Sequence, residues 1–197
     1  MNRSTANLRI LIADEHAEVR RGVRKLLKQR REWSVCGESA TGKTTVEMAR
    51  LLQPDIVYLD LSLPGRDAVE VISEIMGACP AVKIVILAED NAGERALKAL
   101  AAGAIGLAMK SDAPGDLLLT VQNIAKNRRF ISPAAEKCIR KYVRREMKKL
   151  VRARNDIDRA IAYFELLKAQ LPEKGERPKS IARPKSGNLI EMTRKHH

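Results

Sequence analysis

Aromatic side chains are scarce in this 197-residue chain, with one Trp, three Tyr and two Phe. So few rings make a poor stacking platform for unpaired bases, so any nucleic acid contact would have to be mainly electrostatic. Cysteine is nearly as rare. Cys36, Cys79 and Cys138 are odd in number and lack metal-ligand spacing. That excludes a disulfide framework and points to a reducing compartment, most simply the cytoplasm. Histidine is limited to His16, His196 and His197. A lone His16 without a Ser or Cys partner argues against nucleophilic hydrolase chemistry and is expected only at a site's rim. No long apolar run exists either. The first, Leu8 to Ala13, is broken by Asp14, and Met1 to Asn7 offers no apolar stretch, so neither a signal peptide nor a membrane span is expected.

What the chain has is aliphatic content and uneven charge. Hydrophobic residues make up 45%, enough for one packed domain and an appendage. Residues 1–132 hold 19 Lys and Arg against 16 Asp and Glu, whereas residues 133–197 hold 18 against 8. The basicity sits in the carboxyl-terminal third, which suits an acidic partner such as nucleic acid or an anionic surface.

Short apolar runs near 8–13, 33–38, 55–60, 82–88 and 105–109 alternate with helical patterns near 17–30, 42–52, 67–77, 92–102 and 114–126. Continuous Val, Ile and Leu runs are the mark of strands covered on both faces. The expected fold is therefore α/β, a five-stranded parallel doubly wound sheet of flavodoxin-like type over residues 8–128. Ligands of such sheets sit at the carboxyl ends of the strands, near the point where strand order reverses. There the sequence places Asp14 and Glu15 after the first run, Asp60 at the end of the third and Lys110 after the fifth. Gathered carboxylates cannot all ionise without a cation. They form a natural site for a hard metal, Mg²⁺ being the expected occupant, and with the ammonium of Lys110 they can hold a phosphoryl group.

These acids, Lys110 and the segment Leu61-Ser62-Leu63-Pro64-Gly65 resemble the receiver domain of two-component response regulators, specifically the NarL/FixJ-like group. Supporting stretches are Arg9 to Asp14, Gly37 to Ala40, Gln53 to Val57, Ala102 to Ala104 and Phe130 to Pro133. The resemblance implies that Asp60 accepts a phosphoryl group from a sensor histidine kinase. It further implies that Asp14, Asp60 and the Ser62 backbone carbonyl hold Mg²⁺, with Glu15 acting directly or through water, and that Lys110 pairs with the phosphoryl oxygens. The chain would be a phosphoacceptor, not an enzyme, apart from slow autodephosphorylation. Two positions depart from the family. Its switch hydroxyl falls on Ala88 and its switch aromatic on Leu107, so the alternative is a pseudo-receiver, a scaffold whose protein contacts do not depend on phosphorylation. Glu89 and Asp90 follow the fourth strand and read as loop solvation.

A competing motif is Gly37 to Thr44, which fits the phosphate-loop pattern of NTPases. It loses because the receiver pattern already explains both glycines and leaves only Lys43 and Thr44 as coincidence, whereas an NTPase leaves Asp14 and Glu15 unexplained.

Ser132-Pro133 is a helix-start signal, and a basic amphipathic extension is expected over 133–171, followed by a flexible basic tail over 172–197. Nothing after Pro133 resembles the LuxR-type helix-turn-helix of this group, so DNA binding does not come with the resemblance. Instead Arg140, Lys141, Arg144, Arg145, Lys148, Lys149 and Arg152 fall on one half of a helix, suited to phosphates or anionic lipid through residues 139–154. Val143, Met147, Leu150, Ile157, Ile161, Phe164 and Leu171 form a heptad-like seam spoiled at Arg154 and Lys168. It could bury against the first domain or a second copy of the chain.

Overall fold

Asp14, Asp60 and Lys110 owe their positions to a parallel sheet built from the apolar runs. The computed structural model describes the backbone of residues 7–169 and the side chains of residues 7–163. The expected tail, 172–197, lies outside the described residues, as do the last two positions of the expected extension. Contacts divide the chain into two units, the first ending at Lys148 and the second starting at Lys149.

In the first unit the strands are β1 (Leu8–Ala13), β2 (Trp33–Ser39), β3 (Ile56–Asp60), β4 (Lys83–Ala88), β5 (Gly106–Met109) and β6 (Phe130–Ile131). Between them run α1 (Ala17–Leu27), α2 (Gly42–Leu52), α3 (Ala68–Ala78), α4 (Gly93–Ala101) and α5 (Pro114–Ala125). All pairings are parallel, in the order β2-β1-β3-β4-β5-β6. The doubly wound reading holds, with one correction: the sheet has six strands, not five. Phe130 and Ile131 pair with Gly106 and Leu107 as a short edge strand, which a two-residue apolar run after Arg128 and Arg129 does not advertise.

Alternate residues of each strand feed two cores, one per face. Leu11, Val57, Leu59, Ile84, Ile86 and Leu107 pack beneath α2, α3 and α4, while Ile10, Ile12, Tyr58, Val85, Leu87 and Ala108 pack with α1 and α5. This two-sided burial is why the runs read as continuously apolar. Local polar groups set the helix starts: Thr41 caps α2, Asp67 caps α3, and Ser132 Oγ accepts the N–H of Ala135 at 3.2 Å.

The phosphate-loop pattern does not form such a loop. Gly37 lies inside β2 and its neighbours crowd it, since a Cβ there would meet Met48 at 2.6 Å, so this glycine serves strand-to-helix packing. Only Ala40 and Thr41 separate β2 from α2, and the Thr41 hydroxyl itself satisfies an N–H of the α2 amino end, that of Thr44.

Helix α6 (Pro133–Ala169) begins in the first unit. Its opening turns are docked: Ala135 is buried, Cys138 and Ile139 pack on the core beneath α4, and Cys138 Sγ donates to the Asp90 carbonyl at 3.2 Å. Gly93 makes the approach close, because a Cβ on it would stand 2.6 Å from Tyr142 Cβ. Gly93→Val is therefore expected to overpack this seam and cost about 1–3 kcal/mol of stability. Thermal unfolding should show the loss, and alkylation of Cys138 should speed up. Unchanged melting with an unchanged thiol rate would mean that the contact is not closely packed. Further along, Val143 and Met147 are exposed. In the second unit the described residues are all helical, and every side chain from Lys149 to Tyr163 is exposed.

Candidate functional site

Strand order reverses between β1 and β3, so the carboxyl ends of these two strands flank the crevice where this fold binds ligands. Asp60 closes β3 and Asp14 follows β1; both are 1% exposed. Lys110 follows β5, its N–H donating to the Ala88 carbonyl at 2.7 Å and so carrying the β4–β5 ladder one residue on. Its ammonium reaches between the two acids, 3.0 Å from Asp60 Oδ2 and 2.9 Å from Asp14 Oδ2. The second oxygen of Asp60, Oδ1, accepts the Ser62 N–H at 3.2 Å. Ser62 Oγ in turn accepts from Arg95 at 3.3 Å.

The charges do not balance, because one ammonium faces two buried carboxylates. Burial pushes the Asp60 carboxyl above its ordinary range and the Asp14 charge adds to this, while the Lys110 bond opposes it. The Lys110 ammonium is also held above its ordinary value: burial pulls it down, but contacts with Asp14 and Asp60 outweigh that. Asp14 Oδ2 is buried and, apart from the ion pair with Lys110, takes no aligned hydrogen bond. A divalent ion fits such a deficit. Asp14, His16 and Asp60 each offer one ligand atom, all within 4.8 Å of one another.

Glu15 stands outside this group. Asp14 Oδ1 accepts the His16 N–H at 2.8 Å, an Asx turn that folds the chain over Asp14, while Arg20 Nη1 clamps the carbonyls of Asp14 and Glu15 at 2.7 and 3.0 Å. The turn brings the His16 ring back to 3.2 Å from Asp14 Oδ1 and leaves Glu15 exposed. The acidic pair is thus split between a buried Asp14 and an exposed Glu15, with the exposed His16 beside Asp14 at the rim.

The switch positions are core positions. Ala88 and Leu107 are each 1% exposed and pack in the layer beneath α2, α3 and α4, so neither offers a donor toward Asp60. Asp90 accepts from Ser111 Oγ at 3.1 Å, tying the β4–α4 loop to the residue after Lys110. Of the cations expected on α6, Arg140 pairs with Glu136, and Arg145 pairs with Glu146 and lies over the Tyr142 ring. Lys141, Arg144 and Lys148 line an open groove of about 960 Å³ along with Asp90, Gly93 and Tyr142. Lys149 and Arg152 belong to the second unit and are exposed.

With this geometry in view, residues 10–122 match the response regulator receiver domain family. The chain belongs to that family. It is 32% identical over 125 residues to the nitrate/nitrite response regulator protein NarL of Escherichia coli, an alignment covering 64% of this chain and 58% of NarL. YxjL of Bacillus subtilis, described as a transcriptional regulatory protein, is 29% identical over 119 residues. The chain thus spans under two thirds of the length of these curated relatives. Among solved structures, a LuxR-family two-component response regulator from Aurantimonas is 34% identical with a TM-score of 0.64, covering 69% of this chain and 97% of that one. The isolated receiver domain of RcsB from Salmonella, solved with a phosphomimetic, is 26% identical with a TM-score of 0.63, covering 68% of this chain and 99% of that one. The RcsB–DNA complex is similar at 27% identity and the same TM-score, over 68% of each chain. No described helix is long and apolar enough to cross a membrane.

Proposed function

We propose that this chain is a cytoplasmic two-component response regulator in which Asp60 takes a phosphoryl group from a phosphohistidine of a sensor kinase. The observation that carries this reading is a fully buried carboxylate held between an ammonium and a backbone N–H, across from a second buried carboxylate. In the reaction one Asp60 oxygen forms a bond to phosphorus as the phosphorus–nitrogen bond of the donor breaks and the imidazole leaves with a proton. Lys110 neutralises charge on the transferred oxygens, and the Ser62 N–H fixes the carboxylate's orientation. Asp14 and Asp60 would hold Mg²⁺, which when bound supplies further neutralisation of those oxygens. The chain acts as an acceptor and not as a turnover catalyst.

Incubation with Mg²⁺ and a small phosphodonor, followed by intact-mass measurement, tests the reading. Wild type is expected to gain one phosphoryl group and Asp60→Asn none; equal labelling of both would overturn it.

One observation favours a second reading, that of a scaffold indifferent to phosphorylation. Ala88 cannot bond a phosphoryl oxygen, which removes a charge-assisted hydrogen bond worth about 1.5–3 kcal/mol from the coupling to the β4–α4 loop. Labelling of Asp60 without any change in Cys138 alkylation or oligomeric state would favour it. In either reading the output rests on α6, whose basic side chains suit an anionic partner such as duplex DNA, on grounds of charge alone. The exposed apolar side chains of Leu150, Ile157 and Ile161 suit pairing with a second copy.

A further inference from the structure

In the second unit every described side chain from Lys149 to Tyr163 is exposed, and the apolar ones are exposed most tellingly: Leu150 by 66%, Ile157 by 59% and Ile161 by 56%. A single helix in water is marginal and takes most of its stability from packing an apolar face. Leu150, Ile157 and Ile161 recur at the seven- and four-residue steps of a coiled-coil seam. The cover such a seam accepts is a helix of matching spacing, and a second copy of α6 has that spacing necessarily.

Charge decides the direction of the pair. Arg154 stands in the seam where the spacing calls for another apolar residue, and a polar residue at such a position fixes register at some cost in stability. In a parallel pair equal residues meet level. Arg154 would then face Arg154 of the second copy, and Asp158 on the flank would face Ala153, so each guanidinium would keep only the acid of its own helix, 3.9 Å away. An antiparallel pair with Leu150 level with Ile161 of the second copy brings Arg154 level with Ile157. Asp158 of the second copy then stands about 1.5 Å along the axis from Arg154, one residue's rise. Positions 154 and 158 border the same flank, and in antiparallel pairs like flanks meet, so each Arg154 gains a second carboxylate. The four side chains form one alternating cluster at the centre of the contact. Both are free to do so, since Arg154 is 84% exposed and Asp158 64%. On the other flank Ala153 meets Ala160 and adds no opposing charge.

We infer that α6 pairs antiparallel with α6 of a second copy of this chain through Leu150, Ile157 and Ile161, with Arg154 and Asp158 setting direction and register. The inference rests on the reading of this seam as a pairing surface and adds to it which way the copies run. It does not involve Asp60, so the phosphoacceptor reading stands or falls separately.

Sedimentation equilibrium of the full chain, from micromolar to millimolar concentration, measures the association, and Asp60→Asn should match wild type. Ile157→Lys should weaken it at least about tenfold, because it puts a charge into the seam. Arg154→Glu and Asp158→Arg should each weaken it several-fold by setting like charges together. An equimolar mixture of these two variants should associate about as well as wild type, since each chain supplies the charge that the other lacks. Neither variant keeps the ion pair within its own helix, so a purely intrahelical role would leave the mixture as weak as its components. Direction is read from spin-label distances between copies, with Asn155→Cys or Ala162→Cys in a chain carrying Cys36→Ala, Cys79→Ala and Cys138→Ala. The two labels are one heptad apart on the same side of the helix, so a parallel pair gives equal distances. The antiparallel register offsets the labels along the axis by about 20 Å at 162 and about 1.5 Å at 155, so the distance at 162 should be the longer. Monomer at every concentration, association unmoved by Ile157→Lys, a mixture no stronger than its components, or equal distances at 155 and 162 would each overturn the inference.

Discussion

Replacing Lys110 with Met is expected to cost about 3–5 kcal/mol of stability at pH 7, the range for removing one partner of a buried ion pair. Met keeps most of the length and the apolar stem, so the loss isolates the charge. In the native site the Lys110 side chain is 16% exposed and its ammonium serves two side chains, Asp14 at 1% and Asp60 at 0%. Without it two carboxylates face each other out of water. The pH dependence follows from the directions already given. Burial raises the folded pKa of Asp60, so its ionised form already costs stability at neutral pH, and that cost fades as pH falls and the group takes up a proton. The raised pKa of Lys110 contributes stability that is present across neutral pH and is lost only as pH rises through its folded value, above the ordinary 10.5. The deficit of Lys110→Met should therefore shrink as pH falls into the carboxylate range, and Asp60→Asn added to Lys110→Met should restore part of it. Denaturant unfolding between neutral and acid pH checks this. A deficit of the same size at every pH would mean that the loss comes from packing and not from charge.

The second large effect concerns salt. If the five cations Arg140, Lys141, Arg144, Arg145 and Lys148 each meet a phosphate, affinity for duplex DNA should fall roughly 500-fold between 50 and 200 mM salt, the slope being about 0.9 per phosphate neutralised. Two of the five enter the contact from existing ion pairs, Arg140 from Glu136 and Arg145 from Glu146, so the observed slope should be somewhat shallower. Binding should depend weakly on sequence, since only Tyr142 among the side chains beside these cations carries a ring and Arg145 already covers it. Changing Lys141, Arg144 and Lys148 to Gln should reduce the slope by nearly three. Fluorescence anisotropy with two unrelated duplexes over a salt series measures it. No binding at 50 mM, or a slope unmoved by the triple variant, would remove nucleic acid as the partner of this helix.

The parts of this architecture that could be read in advance are those decided by side-chain pattern. Runs such as Ile56 to Leu59 are apolar on both faces because both faces are covered, and that alone separates a buried parallel strand from a half-exposed one. Asp14, Asp60 and Lys110 were legible as an assembly because strand ends in such a sheet converge. The edge strand β6 was not, since two residues have no period and their pairing with β5 is a long-range event. The unequal exposure of Asp14 and Glu15 was hidden for a different reason. It depends on one Asx turn, a hydrogen bond of Asp14 with the backbone two residues on, and adjacent residues in a sequence give no sign of which will face inward. For α6, periodicity identified an apolar stripe over its length but could not say where cover ends; Cys138 and Ile139 are packed and Val143 is not.

The edge strand has a mechanical corollary. Leu107 accepts the N–H of Ser132 at 2.9 Å, and Ser132 caps α6, so the helix root is bolted to the strand that carries Lys110 three residues later. No slack chain intervenes. The first turn of α6 is therefore fixed directly to β5 and not through a tether. Transplanting this helix onto another domain would therefore keep its anchorage only if Phe130 and Ile131 travelled with it.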